Sequence, residues 1–176
     1  MAIPALPEQP RLPRRPRALD AFNAAADERA RRTLLGCLRS LRWARRVADH
    51  RPYPDLGSLL AAADEAAYDL VPADLAEALA AESLPTLPDG TYGAAHTALS
   101  AANAAYEARF GHAFVICLDG VPPTEVLDRV LEGVRSRLAH DAEEERVLAA
   151  EELRRLARQR LVRALGDAQA PEGVPR

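Results

Sequence analysis

Apolar residues recur at helical spacing through most of the chain. In the segment 18–50, four leucines share one face of a helix: Leu34, Leu35, Leu38 and Leu41. This segment therefore predicts one or two helices. A second stripe with the same period lies in the C-terminal half: Leu127, Val130, Leu131, Val134 and Leu138. The pattern predicts a further helix with one apolar stripe.

Prolines and glycines predict where the helices begin and end. Pro52 and Pro54 exclude helix and impose extended geometry on their neighbours, so the helical pattern that follows them belongs to a separate element. Pro72 suits the first turn of a further helix. Gly111 suits the position just after the alanine-rich helix that precedes it. These residues divide the central part of the chain into three short helices.

The C-terminal part of the chain predicts two more helices and one segment of a different kind. Pro122 and Pro123 introduce the first of these helices. Asp141 with Glu144 resembles a capping box that begins the last helix, which runs to Leu165. The segment "AFVICLDG" at 113–120 is strand-like, and an isolated strand has no sheet to join. The sequence therefore predicts an all-α protein, a single compact helical domain of about six to eight helices.

Proline-rich segments flank the helical region. Five prolines occupy every third position from Pro4 to Pro16, and this composition cannot pack as a helix or a central strand. We expect residues 1–17 to form a disordered Pro/Arg-rich leader, 18–166 the helical domain, and 167–176 a flexible tail. A PxxP ligand for a recognition domain is the alternative interpretation of the leader.

Composition and charge exclude several classes of function. The net charge of −3 gives no electrostatic reason to expect a nucleic-acid partner. All 23 basic residues are arginine, which together with the high alanine content indicates a GC-rich genome, so arginine abundance alone does not indicate phosphate binding. The sequence contains no apolar run long enough to span a membrane and no secretory signal. We expect a cytoplasmic protein with neither a nucleic-acid nor a membrane partner.

The cysteines and histidines give few chemical signals. Cys37 and Cys117 lie in apolar surroundings, where a free thiol behaves as a small buried hydrophobe, the alternatives being a disulfide or a nucleophile. No Cys/His spacing typical of a metal site occurs, and no metal is predicted. Three of the four histidines fall at predicted helix ends: His50, His112 and His140. Capping by the imidazole explains that position, because the helix dipole favours it.

The remaining histidine lies on a polar stripe. His96 is near the start of an alanine-rich helix and shares one face with Ser100, Asn103 and Glu107. Such a stripe either lines a pocket or forms an exposed face. The spacing does not distinguish these alternatives. No glycine-rich phosphate loop, nucleophile elbow or H-E-x-x-H motif accompanies it.

Several segments, taken in order, resemble one known family. The first match is a helix with a Ser and a Trp, followed by "RPF" or "RPY" and a short helix, here "CLRSLRWARRVADHRPYPDLGSLLAAADEAAYDL". The family pattern "N..Y..kFGf.FvicA.G" is similar to "NAAYEARFGHAFVICLDG", and "E...I...RL..L" is similar to "EELRRLARQRLVRAL". These are marks of the 2-oxo-4-hydroxy-4-carboxy-5-ureidoimidazoline (OHCU) decarboxylases. The resemblance extends from about Ala18 to Leu165.

The resemblance implies an all-helical, often dimeric protein that uses no cofactor. Family members complete the ureide branch of urate breakdown: they remove CO2 from OHCU and protonate the product stereospecifically to (S)-allantoin. The substrate ring itself accepts the electron pair that the lost carboxylate leaves behind. The protein therefore has to hold the carboxylate in a desolvated pocket and supply one proton. A histidine suits that role because it titrates near neutral pH.

The family's site residues carry over only in part. In the family, the "FvicA" segment offers backbone groups to the substrate ring, and this chain matches it with Phe114, Val115, Ile116, Cys117 and Leu118. The family's histidine belongs to "HPRIG", but this chain has "ESLP" at 82–85 after the corresponding helix. A later "S..EQ", which contributes a carboxylate and an amide, has no match. Asp89 is the nearest acid to the position of that carboxylate.

The sequence thus leaves three hypotheses. In the first, the chain remains a decarboxylase in which Glu82 donates the proton, since burial can tune a carboxyl group to act as an acid, or His96 reaches in from the next helix. The alternative interpretation of Glu82 is a solvated residue at a helix end.

In the second hypothesis, a non-catalytic descendant binds a ureide or another planar heterocycle, or a partner protein. The third is a different lyase or hydrolase on the same scaffold. The expected partners are a small-molecule ureide or heterocycle and a second copy of the chain.

Overall fold

The computed structural model describes residues 17–87 and 93–166. These residues contain eight α-helices and no strand: α1 (Ala18–Asn23), α2 (Asp27–Leu35), α3 (Leu41–Asp49), α4 (Leu56–Tyr68), α5 (Pro72–Ala80), α6 (Gly93–Phe110), α7 (Val126–Arg137) and α8 (Ala142–Leu165). A 3-10 turn at Pro123–Glu125 leads into α7. The prediction of an all-α protein with six to eight helices is confirmed.

The segment 18–50 forms three helices, which corrects the prediction of one or two. The break before α3 has a local cause at Ser40, whose side-chain oxygen accepts a hydrogen bond from the backbone N–H of Trp43 at 3.3 Å. A serine in this position satisfies a free donor of the first turn and starts a new helix. Trp43 is fully buried, and its indole N–H donates to the carbonyl of Ala63 at 2.9 Å. Trp43 thereby ties α3 to α4.

The other predicted helix boundaries agree with the structure. Pro72 is the first residue of α5, and Gly111 follows α6 with a φ of 80°, a left-handed conformation that glycine adopts without strain. The Asp141 side chain accepts from the amides of Glu143 and Glu144 at 2.9 Å, while the Glu144 carboxylate accepts from the Asp141 amide at 3.1 Å. The capping box predicted for the last helix is therefore present.

The helices bury two adjacent apolar clusters. The first joins α1 to α5 with α8, and the second joins α6 with α7 and Leu87. The predicted strand-like segment forms no strand and runs between the two clusters, with Val115 in the first and Phe114 in the second. This segment therefore lies at the seam of the molecule.

Three of the sequence predictions lie outside the described residues. Residues 1–16 of the leader predicted at 1–17, the tail at 167–176 and Asp89 all fall in the ranges for which no structure is given. In the two described ranges, every helix is too short or too polar to cross a membrane.

Candidate functional site

A pocket of about 400 Å³ opens where the two apolar clusters meet. Its walls are the irregular segment after α5, the segment 114–118 and one face of α8: Glu82, Ser83, Leu84, Pro85, Thr86, Phe114, Val115, Ile116, Leu118, Leu156, Gln159, Arg160 and Arg163. Its volume is in the range of small-molecule sites, which are typically about 300–1,000 Å³. The pocket combines apolar surface with one carboxylate and two guanidinium groups.

Glu82 and Arg160 form a bidentate ion pair in this pocket. Arg160 Nη1 donates to Glu82 Oε1 and Nη2 to Oε2, both at 2.8 Å. Only 7% of the Glu82 side chain is exposed, so the interpretation of Glu82 as a solvated residue at a helix end is wrong. The hydrogen bonds and charge of Glu82 raise the pKa of Arg160 above its usual value and outweigh the opposing effect of burial. In this structure the Glu82 carboxylate therefore accepts both of its hydrogen bonds from Arg160.

Arg160 is also held from its other side. Its Nη1 donates to the carbonyl oxygen of Cys37 at 3.0 Å, in the turn that follows α2. The contact joins α8 to the first apolar cluster and fixes the direction of the guanidinium plane. Arg163, one turn further along α8, is exposed and has no hydrogen bond or ion pair with any described residue. The pocket thus contains one paired guanidinium and one without a partner among the described residues.

The wall at 114–118 has no neighbouring strand, and side chains bind its backbone instead. Three helices each provide one such side chain: Asn103 from α6, Arg137 from α7 and Glu152 from α8. Their polar atoms lie 3.0 Å from the amide of Phe114, 2.6 Å from the carbonyl of Val115 and 2.6 Å from the amide of Cys117, respectively. Because buried backbone groups require partners, these side chains stabilise an otherwise irregular wall.

Arg137 belongs to a buried polar network behind this wall. Its Nε donates to Glu145 Oε1 at 2.8 Å, and its guanidinium lies 4.5 Å from the ring centroid of Phe114. Tyr106 donates its hydroxyl proton to the same Glu145 carboxylate, and His140 Nδ1 lies 3.1 Å from Glu145 Oε2. Burial disfavours ionised Glu145, but the hydrogen bonds from Arg137 and Tyr106 outweigh it and lower the pKa of Glu145.

The structure brings most of the predicted site residues together. Glu82 lines the same pocket as Phe114, Val115, Ile116 and Leu118. Cys117, the remaining member of that segment, is half-buried and lines a neighbouring depression with Asp119 and arginines of α8. Four of the five residues of the matched segment therefore line the pocket, and Cys117 alone among them lines the neighbouring depression.

The stripe that begins at His96 does not line this pocket. His96, Ser100 and Glu107 are exposed on α6. Asn103 is buried, and its side-chain oxygen accepts a hydrogen bond from the backbone amide of Phe114. The stripe is thus an exposed face with one buried member. That member supports the pocket wall.

The other histidines differ in their partners. His50 Nδ1 lies 2.7 Å from the carbonyl of Arg46 at the end of α3, as expected for capping. His112 instead pairs with the carbonyl of Ala113 at 3.0 Å, and His140 pairs with Glu145. Capping is confirmed for His50 and corrected for the other two.

Both cysteines are free thiols. Cys37 is buried, as predicted, and burial raises the pKa of its thiol to about 11 against the opposing effect of Arg160. Cys117 is half-buried, so it fits the interpretation as a core residue only in part. Across residues 17–87 and 93–166, no group of three or more His, Cys, Asp or Glu side chains is arranged to hold a metal ion.

The sequence interpretation did not single out Arg160, Gln159, Arg163 or the supporting Arg137. Helix α8 carries six arginines, and their spacing alone does not indicate which of them faces a cavity. The only available signal was the arginine of the family pattern "RL", which Arg160 and Leu161 match.

The fold is that of a known structural class, the all-helical OHCU decarboxylases. The crystal structure of an OHCU decarboxylase in the presence of (S)-allantoin superimposes with a TM-score of 0.66 at 22% identity, covering 81% of this chain and 100% of that chain. The crystal structure of an (S)-allantoin synthase gives a TM-score of 0.67 at 19% identity, covering 85% of this chain and 54% of that chain. This chain therefore spans about half the length of the synthase.

The sequence itself matches the OHCU decarboxylase family over residues 23–89 and 89–162. The chain belongs to the OHCU decarboxylase family. No curated protein sequence matches it significantly.

Proposed function

We propose that this chain decarboxylates OHCU, or a closely related carboxylated ureide heterocycle, in the pocket that Glu82 and Arg160 line, and that the product is (S)-allantoin. The observation that carries the proposal is the fixed guanidinium of Arg160 inside a pocket walled by the segment 114–118. A guanidinium fork matches the two oxygens of a carboxylate, which is the group that the reaction removes. Family membership supports the same substrate class.

The pocket supplies the two kinds of contact that such a substrate requires. Leu84, Pro85 and Leu156 provide apolar surface for a planar ring, while the 114–118 segment is held rigidly enough to present backbone groups to it. A desolvated carboxylate loses CO2 more readily because the charge spreads as the bond breaks. The C–C electron pair passes into the ring of the substrate, so the chemistry requires no cofactor.

The product carbon then takes up one proton. Among the described residues that line the pocket, Glu82 carries the one carboxyl group, and we assign it the role of donor. To fill this role it must leave Arg160 and acquire a proton from solvent before delivering it to one face of the ring. A carboxyl group in a water-excluded site is suited to such transfer. His96 remains the second candidate donor, and its exposed position on α6 requires that it act through water or a moved segment.

A second candidate function is ligand binding without turnover. The observation that favours it is the Glu82–Arg160 pair itself, because a carboxylate that accepts both guanidinium donors is not positioned as an acid. Such a protein would retain a pocket for a ureide or another planar heterocycle. Cytoplasmic location and a homodimer also belong to this proposal, by analogy with the family.

The decisive measurement is the chirality of allantoin formed from freshly generated OHCU, followed by circular dichroism. We expect (S)-allantoin to form faster than the spontaneous racemic product. Formation at the spontaneous rate excludes decarboxylation and leaves the binding function. Variants Glu82→Gln and His96→Asn separate the two donors: the donor is the residue whose variant loses the stereospecific rate, and unchanged rates in both variants exclude both assignments.

A further inference from the structure

We infer that Glu82 acts as an internal competitor for Arg160, so that a ligand carboxylate enters the pocket by exchanging with the Glu82 carboxylate. The inference rests on the proposed function only in taking the ligand to be a carboxylated heterocycle. It makes Glu82 the residue that sets the affinity and charge selectivity of the site.

The first argument is geometric. Glu82 occupies Nη1 and Nη2 of Arg160 in parallel, each at 2.8 Å. These are the two donors of the end-on fork, one of the two arrangements in which a guanidinium holds a carboxylate bidentately. We take the ligand carboxylate to use this fork, and it then competes with Glu82 for the same two nitrogen atoms.

The second argument concerns which partner can move. Arg160 also donates to the Cys37 carbonyl at 3.0 Å, and this contact does not involve Glu82, so it can hold the guanidinium in its direction during the exchange. Glu82 lies just beyond the end of α5, in a segment without regular secondary structure, next to the exposed Ser83. Rotation of the Glu82 side chain toward solvent requires no helix to move.

The third argument is the charge of the pocket. Among the described residues of the lining, Glu82 carries the one negative charge and Arg160 and Arg163 carry two positive charges. These described residues thus have one excess positive charge, which complements one ligand carboxylate. Arg163 is exposed and has no partner among the described residues, so it is the first guanidinium that an incoming anion meets. Exchange at Arg160 then follows contact at Arg163.

The prediction distinguishes charged from neutral ligands of the same shape. A matched pair is hydantoin-5-acetate and hydantoin-5-acetamide, which share a ring and differ in the carboxylate. Binding of each to the full chain is measured by titration calorimetry for the wild type, Glu82→Gln and Glu77→Gln. Glu77 is an exposed residue of α5 without a partner among the described residues, so Glu77→Gln removes an equal charge away from Arg160.

We expect Glu82→Gln to bind hydantoin-5-acetate about tenfold more tightly than the wild type, because a charge-assisted competitor is replaced by a neutral one. Binding of the acetamide should change less than about twofold, and Glu77→Gln should resemble the wild type for both ligands. If Glu82→Gln folds poorly, Glu82→Asp tests the same point. Its shorter side chain cannot span both donors at the same distance, so the acetate should again bind more tightly than in the wild type.

Three results would overturn the inference: an unchanged or weaker affinity of Glu82→Gln for the acetate, an equal gain for acetate and acetamide, or no acetate binding by any variant. Arg163→Gln is the further control. The gain from Glu82→Gln should persist in that background, and its disappearance would place the ligand carboxylate on Arg163 instead. Charge-dependent binding without formation of (S)-allantoin refutes the proposed catalysis alone, whereas catalysis without the Glu82 effect refutes this inference alone.

Discussion

The carboxylate of Glu152 on α8 accepts a hydrogen bond from the backbone amide of Cys117, with Oε2 and N 2.6 Å apart. This contact replaces the strand that a sheet would place beside the segment 114–118. The same helix carries Arg160 two turns further along. One helix therefore fixes both a wall of the pocket and the guanidinium that pairs with Glu82.

Glu152→Ala should weaken both the fold and the site. The half-buried amide of Cys117 loses its acceptor, which costs about 1 kcal/mol of the free energy of unfolding. Glu152→Gln retains an oxygen acceptor and should cost less. Urea unfolding measures the free energy of unfolding. Titration calorimetry with hydantoin-5-acetamide measures the ligand affinity, which falls if the pocket wall is disturbed. Equal losses in the two variants would mean that the hydrogen bond to Cys117 is not the source of the effect.

Arg137 and Glu145 should be strongly coupled. Both are almost completely buried, so Arg137→Met leaves a buried carboxylate without its cation and should cost about 3–5 kcal/mol of the free energy of unfolding. The double variant Arg137→Met with Glu145→Met should lose less than the sum of the single losses, because no unpaired charge remains. A double-mutant cycle by urea unfolding measures the coupling, and additive losses would contradict it.

Stability should fall in acid through Glu145. Its pKa is lowered in the folded state, so its contribution is complete above its unfolded pKa of about 4.3 and is lost as the pH falls through the folded value. Glu145→Gln should therefore show a shallower loss of unfolding free energy below pH ~4.3 than the wild type. Glu77→Gln provides a surface control. If the wild type and Glu145→Gln have the same slope, the carboxylate of Glu145 does not carry this dependence.

Gly133→Ala should disturb the side chain of Phe114, which lines the pocket. A Cβ at Gly133 in α7 would lie 3.0 Å from Cζ of Phe114, a ring that is fully buried and stacked on Arg137. Overpacking costs about 1–3 kcal/mol and exceeds the 0.5–1 kcal/mol or so that alanine gains in a helix. We expect a lower melting temperature and weaker binding of hydantoin-5-acetamide. Gly93→Ala is the control, since a Cβ there meets no atom within 4 Å, and a stabilised Gly133→Ala would contradict the packing argument.

The sequence by itself determined the helical class and most helix boundaries. Pro72, Gly111 and the capping box at Asp141 act within a few residues of the chain, so their effect is visible in the local sequence. The additional break before α3 was missed because Ser40 lies inside a stretch of otherwise good helix formers, and its cap contact with Trp43 competes with continued helix. The family pattern around 114–118 likewise identified a wall of the pocket.

Only the tertiary structure decided the chemistry of the pocket. Glu82 and Arg160 are 78 positions apart, and α8 carries arginines on several faces, so no local pattern shows which of them meets Glu82. The same holds for Arg137 and Val115, whose contact depends on how α7 packs behind the segment 114–118. Capping and turn signals are local because they involve neighbouring backbone groups. Ion pairs between distant elements depend on the packing of whole helices. The packing of α8 against the segment after α5 places Glu82, which the sequence puts at a helix end, in a buried ion pair with Arg160.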